Sequence, residues 1–289
     1  MIGRIVLVLG HPYDVGARAV CSEIRWRSAD PVLLLPPELA AATGWTHRVG
    51  DDGRARTQLR LPNGRRLADE DIGCVLNRWN HLPAGRLTGA SERDREYGAL
   101  EFQSLIASWL AGLSGRVVNR PNPNATDAGP RSPRGWLALA VAAGLSVAPS
   151  GLATAARLIP AATESARPLG PFAPDRAFST GRVPVEIGWS GAGLGTEPSD
   201  PGDDSGEDGR EVLVVGGRAF GAPTTGIGDA CVDVANRAGC SIAAFRFETP
   251  GRGTVLAHVT TRPALTGVGQ AAAVAELCRS IADRAGDRA

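Results

Sequence analysis

Residues 245–263 read FRFETPGRGTVLAHVTTRP. Two runs that mix apolar and polar residues flank a Pro250-Gly251 pair. The segment therefore predicts two strands joined by a tight turn. It ends in a polar corner that holds Arg246, Glu248, His258, Thr260 and Arg262. Folds place binding groups where strand ends meet a loop, yet these side chains match no common catalytic set. No Ser-His-Asp or Cys-His arrangement follows from the spacing anywhere in the chain.

Outward from this hairpin, EVLVVGGRAFG (211–221) predicts strand, Gly-Gly turn and strand. GIGDACVDVANRAG (226–239) predicts a helix stopped at Gly239, and GQAAAVAELCRSIADRA (269–285) an amphipathic helix. At the other end, RIVLVLG (4–10) is a buried strand, VGARAVCSEIRWR (15–27) a helix and PVLLLP (31–36) a second strand. The Pro-Pro after that strand stops it or starts a new helix. TQLRLPNGRRL (57–67) alternates about a Pro-Asn-Gly turn as a hairpin does, and DIGCVLNR (71–78) is a buried strand ending in Asn77 and Arg78. Strands alternating with helices imply a mostly parallel α/β sheet with ligands near the carboxyl ends of its strands.

REYGALEFQSLIASWLAGL (95–113) carries Leu100, Phe102, Leu105, Ile106, Trp109, Leu110 and Leu113 at helical spacing, which is a core stripe. A short strand, RVVNRP (116–121), leads into the loop PNPNATDAGP. Ser132-Pro133 then has the form of an N-cap before the helix RGWLALAVAAGL, with Gly144 at its C-cap. Residues 151–210 are rich in Pro, Gly and acid, and only GRVPVEIGW (181–189) resembles a strand. This part reads as a loose connector, partly disordered.

The chain has 289 residues and no lysine, so all 31 of its basic residues are arginine. A GC-rich genome explains this, and so does selection against amines; in either case no lysine can clamp phosphate or act as nucleophile. A net charge of +1 gives no footprint for nucleic acid. The first apolar run is too short for a signal peptide or a membrane span. Cys21, Cys74, Cys231, Cys240 and Cys278 are scattered and lack CxxC spacing, which points to reduced thiols in a cytoplasm and to no zinc site.

Three passages resemble the ATP-grasp superfamily, and more narrowly the branch of ribosomal-protein glutamate ligases and ribosomal-peptide-modifying ligases. CVLNRWN with the REYGALEFQSLIASWL helix is similar to the end of the pre-grasp domain. VVNRPNP followed by GPRSPRGWLALAVAAGLSVAPS is similar to the entry to the grasp domain. EVLVVGGRAFGA, CVDVANRAGCSIAAFRFE and VLAHVTTRPAL are similar to the final core that carries the metal site. The resemblance implies a pre-ATP-grasp-like parallel α/β domain over 1–120 and a connecting loop and helix over 121–150. A reduced small lobe over 151–210 and an ATP-grasp core-like α+β domain over 211–289 follow.

The family pattern places an acid on the first late strand and a Glu-x-Asn triplet on the second. Here those positions read Phe245-Arg246-Phe247 and His258-Val259-Thr260, and Glu211 stands where an arginine is expected. The glycine run GWSGAGLG (188–195) is a weak match to a phosphate loop. Neither guanidinium nor imidazole replaces a magnesium carboxylate.

Three functions stay open. The first is an ATP-grasp-like protein that has lost ATP and magnesium catalysis, takes no cofactor, and acts as an accessory subunit in a peptide or natural-product pathway. Its partner would be an active paralogue, a peptide or a carrier, with homo-oligomers also expected. The second is an active carboxylate-amine ligase using ATP and magnesium. The third is an enzyme of another class with an anionic substrate. The catalytic candidate is His258; the anion-binding candidates are Arg78, Asn119, Arg120, Arg246 and Arg262, with no metal ligand. Nucleic acid and membrane are not expected partners.

Overall fold

Five consecutive apolar residues, Ile5–Leu9, form the fully buried strand β1 in the computed structural model. The structure describes residues 4–79, 89–113, 115–121, 133–147, 151–153, 185–187, 210–222, 224–248, 254–267 and 269–286. Helix α1 (Val15–Arg27) starts where Asp14 accepts a hydrogen bond from the Ala17 amide at 3.0 Å, and it buries Val20, Cys21 and Ile24. Strand β2 (Val32–Leu35) pairs parallel with β1. The Pro-Pro that follows opens a helix, α2 (Pro37–Ala42), with proline at its start.

Strands β3 (Gly44–Val49), β4 (Ala55–Arg60) and β5 (Arg66–Ala68) make an antiparallel sheet. Gly64, at φ 82°, makes the turn of the expected hairpin. The sequence pattern gives no sign of β3, because this edge strand buries none of its residues fully. Strand β6 (Ile72–Asn77) lies parallel to β1 on the side away from β2. Helix α3 (Glu92–Gly112) begins three residues before the expected Arg95, because Ser91 caps it, accepting from the Asp94 amide at 3.2 Å. Of its stripe, Ile106, Trp109 and Leu110 are buried while Leu100 is exposed. Strand β7 (Val117–Val118) completes a parallel sheet of order β2-β1-β6-β7.

Helix α4 (Pro133–Ala142) is followed by Gly144 at φ 80°. Strands β8 (Gly151–Ala153) and β9 (Val185–Ile187) pair antiparallel, and β9 falls in the stretch expected to be a strand. Strands β10 (Arg210–Val215) and β11 (Arg218–Phe220) are joined through Gly216 and Gly217 and precede α5 (Thr225–Arg237). The segment 245–263 then supplies most of β12 (Ile242–Glu248) and all of β13 (Val255–Thr260) before α6 (Gln270–Gly286). These strands form an antiparallel sheet of order β11-β10-β12-β13. The Pro250-Gly251 turn, the loop at 122–130 with Ser132, the glycine run at 188–195 and the acidic run at 199–209 lie outside the described residues.

Alternation along β10 and β12 gives the antiparallel sheet two apolar faces. Val212, Val214, Ala243, Phe245 and Phe247 pack against α4 and α5. Leu213, Val215, Ile242 and Ala244 share a core with Val6, Val8, Cys74 and Leu76 of the parallel sheet, with α1 and α6. The opposite face of the parallel sheet packs on α3 and the small sheet through Leu7, Leu9, Leu59, Ile106 and Trp109. Helix α6 lies so close to β6 that a Cβ on Gly73 would come within 2.8 Å of the Ala282 Cβ. Among the described residues no helix is long and apolar enough to cross a membrane.

Candidate functional site

Strand pairing aligns three polar residues on one face of the antiparallel sheet. Glu211 of β10 stands opposite Arg246 of β12, which stands opposite His258 of β13. The register shifts after Arg246, and such bulges re-aim side chains beside sites. The row shares its face with the apolar positions Leu213 and Ala244; Arg246 and His258 lie half-buried beside the core shared with the parallel sheet, and Glu211 is exposed at its edge.

His258 is the distinctive member. Its Nδ1 is buried and, among the described residues, has no hydrogen-bond partner. By contrast, both ring nitrogens of His47 meet hydroxyls, Thr57 Oγ1 at 2.9 Å and Ser108 Oγ at 3.0 Å. Burial first, and the neighbouring Arg246 charge second, lower the His258 pKa from its ordinary 6.5. At neutral pH this corner therefore holds a neutral imidazole next to a guanidinium, with the Glu211 carboxylate on the guanidinium's other side. Such a pair can receive an anion or take a proton from an acid.

The segment after β13 turns toward the carboxyl ends of the parallel sheet. Arg262 donates through Nη1 to the Trp79 carbonyl, and its amide donates to Thr260 Oγ1 at 3.2 Å. Arg78, beside Trp79, is 7% exposed and clasps Asp14 with two bonds, Nε to Oδ2 at 2.8 Å and Nη2 to Oδ1 at 2.9 Å. Asn119 is buried at the end of β7. Its Nδ2 donates to the carbonyls of Ile242 (2.7 Å) and Thr261 (3.1 Å), and its Oδ1 accepts from the Ile242 amide at 2.8 Å. Arg120, the next residue, is exposed.

Of the sequence candidates, Arg246 and His258 thus stand side by side, and Arg262 joins the corner to the end of β6. Arg78 and Asn119 spend their polar atoms on protein partners. Asp14 lies 64 residues from Arg78, so the spacing in the sequence gives no sign of this pair.

Magnesium needs hard oxygen ligands, carboxylates above all. The side chains at the hairpin positions are a guanidinium, a neutral imidazole and the Thr260 hydroxyl, while Glu248 stands opposite Val255. Among the described residues no three His, Cys, Asp or Glu side chains come together to hold a metal ion. This donor set does not fit magnesium.

No family model matches the sequence, and no curated protein matches it. Solved structures do. The macrocyclase MdnB from Microcystis aeruginosa MRC superposes with a TM-score of 0.61 at 17% identity, over 98% of this chain and 99% of that one. The ATP-grasp ligase PsnB complexed with minimal precursor, Mg and ADP gives 0.63 at 17% identity, over 97% and 98%. The macrocyclase MdnC from Microcystis aeruginosa MRC, bound with precursor peptide MdnA, gives 0.64 at 13% identity, over 96% and 99%. The parallel sheet, the antiparallel sheet that follows it and the helices packed on them have the fold of the ATP-grasp ligases.

Proposed function

We propose that this chain keeps the ATP-grasp scaffold without ATP and magnesium catalysis, and serves as an accessory binding subunit in a peptide-modifying pathway. Its ligand group is an anion, such as a peptide carboxylate, received by Arg246 and His258. The observation that carries this reading is the buried Nδ1 of His258, unpartnered among the described residues, beside Arg246. A buried polar atom without a partner calls for one, and a guanidinium next to it selects a negative group. A peptide ligand is supported by MdnC and PsnB, whose structures hold precursor peptides. We divide the scaffold into 1–120, 121–150, 151–210 and 211–289.

The test is calorimetric titration of the full chain with Mg-ATP and, separately, with a short Glu-rich peptide. The peptide is expected to bind, with Arg246→Gln weakening it about tenfold, the loss of one charge-assisted contact. Micromolar binding of Mg-ATP would overturn the reading in favour of an active carboxylate-amine ligase. The lowered pKa of His258 favours a second reading, an enzyme of another class in which this imidazole is the general base. Turnover of a bound anion that disappears in His258→Gln, with binding retained, would select it.

A further inference from the structure

At the amino ends of the parallel strands, away from the corner, a half-open cavity of about 470 Å³ lies between β4, the turn after α3 and the end of α6. Four arginines line it, Arg4, Arg56, Arg116 and Arg284, with Asp69 and Glu70. Backbone carbonyls hold two of the guanidiniums in place. Arg4 donates through Nη1 to the Ala285 carbonyl. Arg116 donates through Nε to Leu113 O at 3.1 Å, and through Nη1 to Asp69 O at 2.6 Å and Ile72 O at 2.7 Å. A carbonyl orients a guanidinium but leaves its charge uncompensated.

Two carboxylates, Asp69 and Glu70, compensate part of the charge of four guanidiniums. Asp69 spends one oxygen on the Thr57 amide at 2.7 Å and the other on Trp109 Nε1 at 3.0 Å. Glu70 is exposed. Arg56 pairs with Asp52 at 3.3 Å, both well exposed, where such a pair contributes little. Among the described residues, Arg4, Arg116 and Arg284 have no ion pair within 4.0 Å. Burial lowers the pKa of Arg116 against the pull of Asp69, and the Arg4 charge lowers it further against that of Glu70. Like charges held near each other in a concave site are relieved by an anion that sits between them.

We propose that this cavity is a second anion site, for a small molecule that carries two or more oxyanion groups, phosphate or carboxylate. Four guanidiniums exceed what a single small ion can neutralise, and a volume of about 470 Å³ suits a small organic ligand. The site is separate from the corner of Arg246 and His258 and does not depend on it.

Calorimetry on the full chain at low salt, with pyrophosphate and with citrate as probes, tests it. At least one probe is expected to bind one-to-one, and which one binds names phosphate or carboxylate as the ligand group. The double variant Arg56→Gln/Arg284→Gln alters two exposed side chains and should melt like the parent. It is expected to weaken binding about tenfold or more, while Arg246→Gln leaves it unchanged. The proposal is overturned if neither probe binds at millimolar concentration, or if the double variant binds like the parent. It is equally overturned if Arg246→Gln is the change that removes binding.

Discussion

Arg78 ends a strand at the edge where α/β folds bind ligands, which is why its sequence position suggests an anion site. In the folded chain its anion is already present, as the Asp14 carboxylate. Asp14 also caps α1, so one side chain fixes both a helix start and a buried charge. Arg78→Leu should destabilise the chain by about 3–5 kcal/mol, the cost of leaving a partly buried carboxylate without its partner, measured by urea unfolding. At Gly16 a Cβ would lie 2.8 Å from Arg78 Nη2 and 2.8 Å from the Ala264 carbonyl. Gly16→Ala should therefore also lower the melting temperature. His258 titrates in the opposite sense to a salt-bridged histidine. Its folded pKa lies below the unfolded value near 6.5, so the unfolded chain binds the proton more tightly. Stability should thus fall as pH drops below about 6.5, by at most about 1.4 kcal/mol per pH unit, until the folded pKa is passed. His258→Gln should flatten that part of the urea midpoint against pH. In Arg246→Gln, the imidazole resonances of His258 should titrate at higher pH than in the parent. Both residues can be picked out in the sequence, but the lowered pKa cannot, because it arises from burial between strands.

The strands and helices with continuous apolar runs or strong helical spacing, such as Ile5–Leu9 and Val15–Arg27, are readable one residue at a time. The edge strand Gly44–Val49 is not, since pairing with β4 and not burial makes it a strand. The joint between the two main sheets is hidden for another reason. Asn119 lies in a segment whose prolines suggest loop shaping, and its partner Ile242 is 123 residues away. Its one amide answers both the N–H and the C=O of the first residue of β12. Asn119→Ala would leave these buried groups unpaired and should cost about 2–3 kcal/mol. Hydrogen exchange is the sharper measurement: the Ile242 amide should lose protection more than amides in the middle of β12. Equal protection in parent and variant would show that the clamp does not hold the strand.

Over the whole molecule, the alternation of strands and helices announces a parallel sheet, and the late hairpin an antiparallel one. Their stacking through a shared core could not be read, because it depends on α6 crossing back to β1 and β6. All five cysteines end up buried. Burial pushes Cys21 up to about 11 and Cys231 up to about 12; the hydrogen bond that the Cys74 thiol donates to Cys278, then burial, carries Cys74 well above the usual thiol range. Thiolate is the reactive form. Ellman's reagent at pH 8 should therefore label no cysteine of the native chain in the time that it labels all five in urea. Rapid reaction of any one of them would contradict the packing described.

The close seat of α6 on Gly73, through its Ala282, also orders the life of the chain before it is finished. During synthesis β1 and β6 leave the ribosome long before α6, with Val6, Val8, Cys74 and Leu76 facing a partner not yet made. Until α6 emerges, the nascent protein shows an apolar sheet face that α1 covers only in part, the kind of surface that chaperones hold and that aggregates when they do not. β1 and β6 are made well before the helix that seals them.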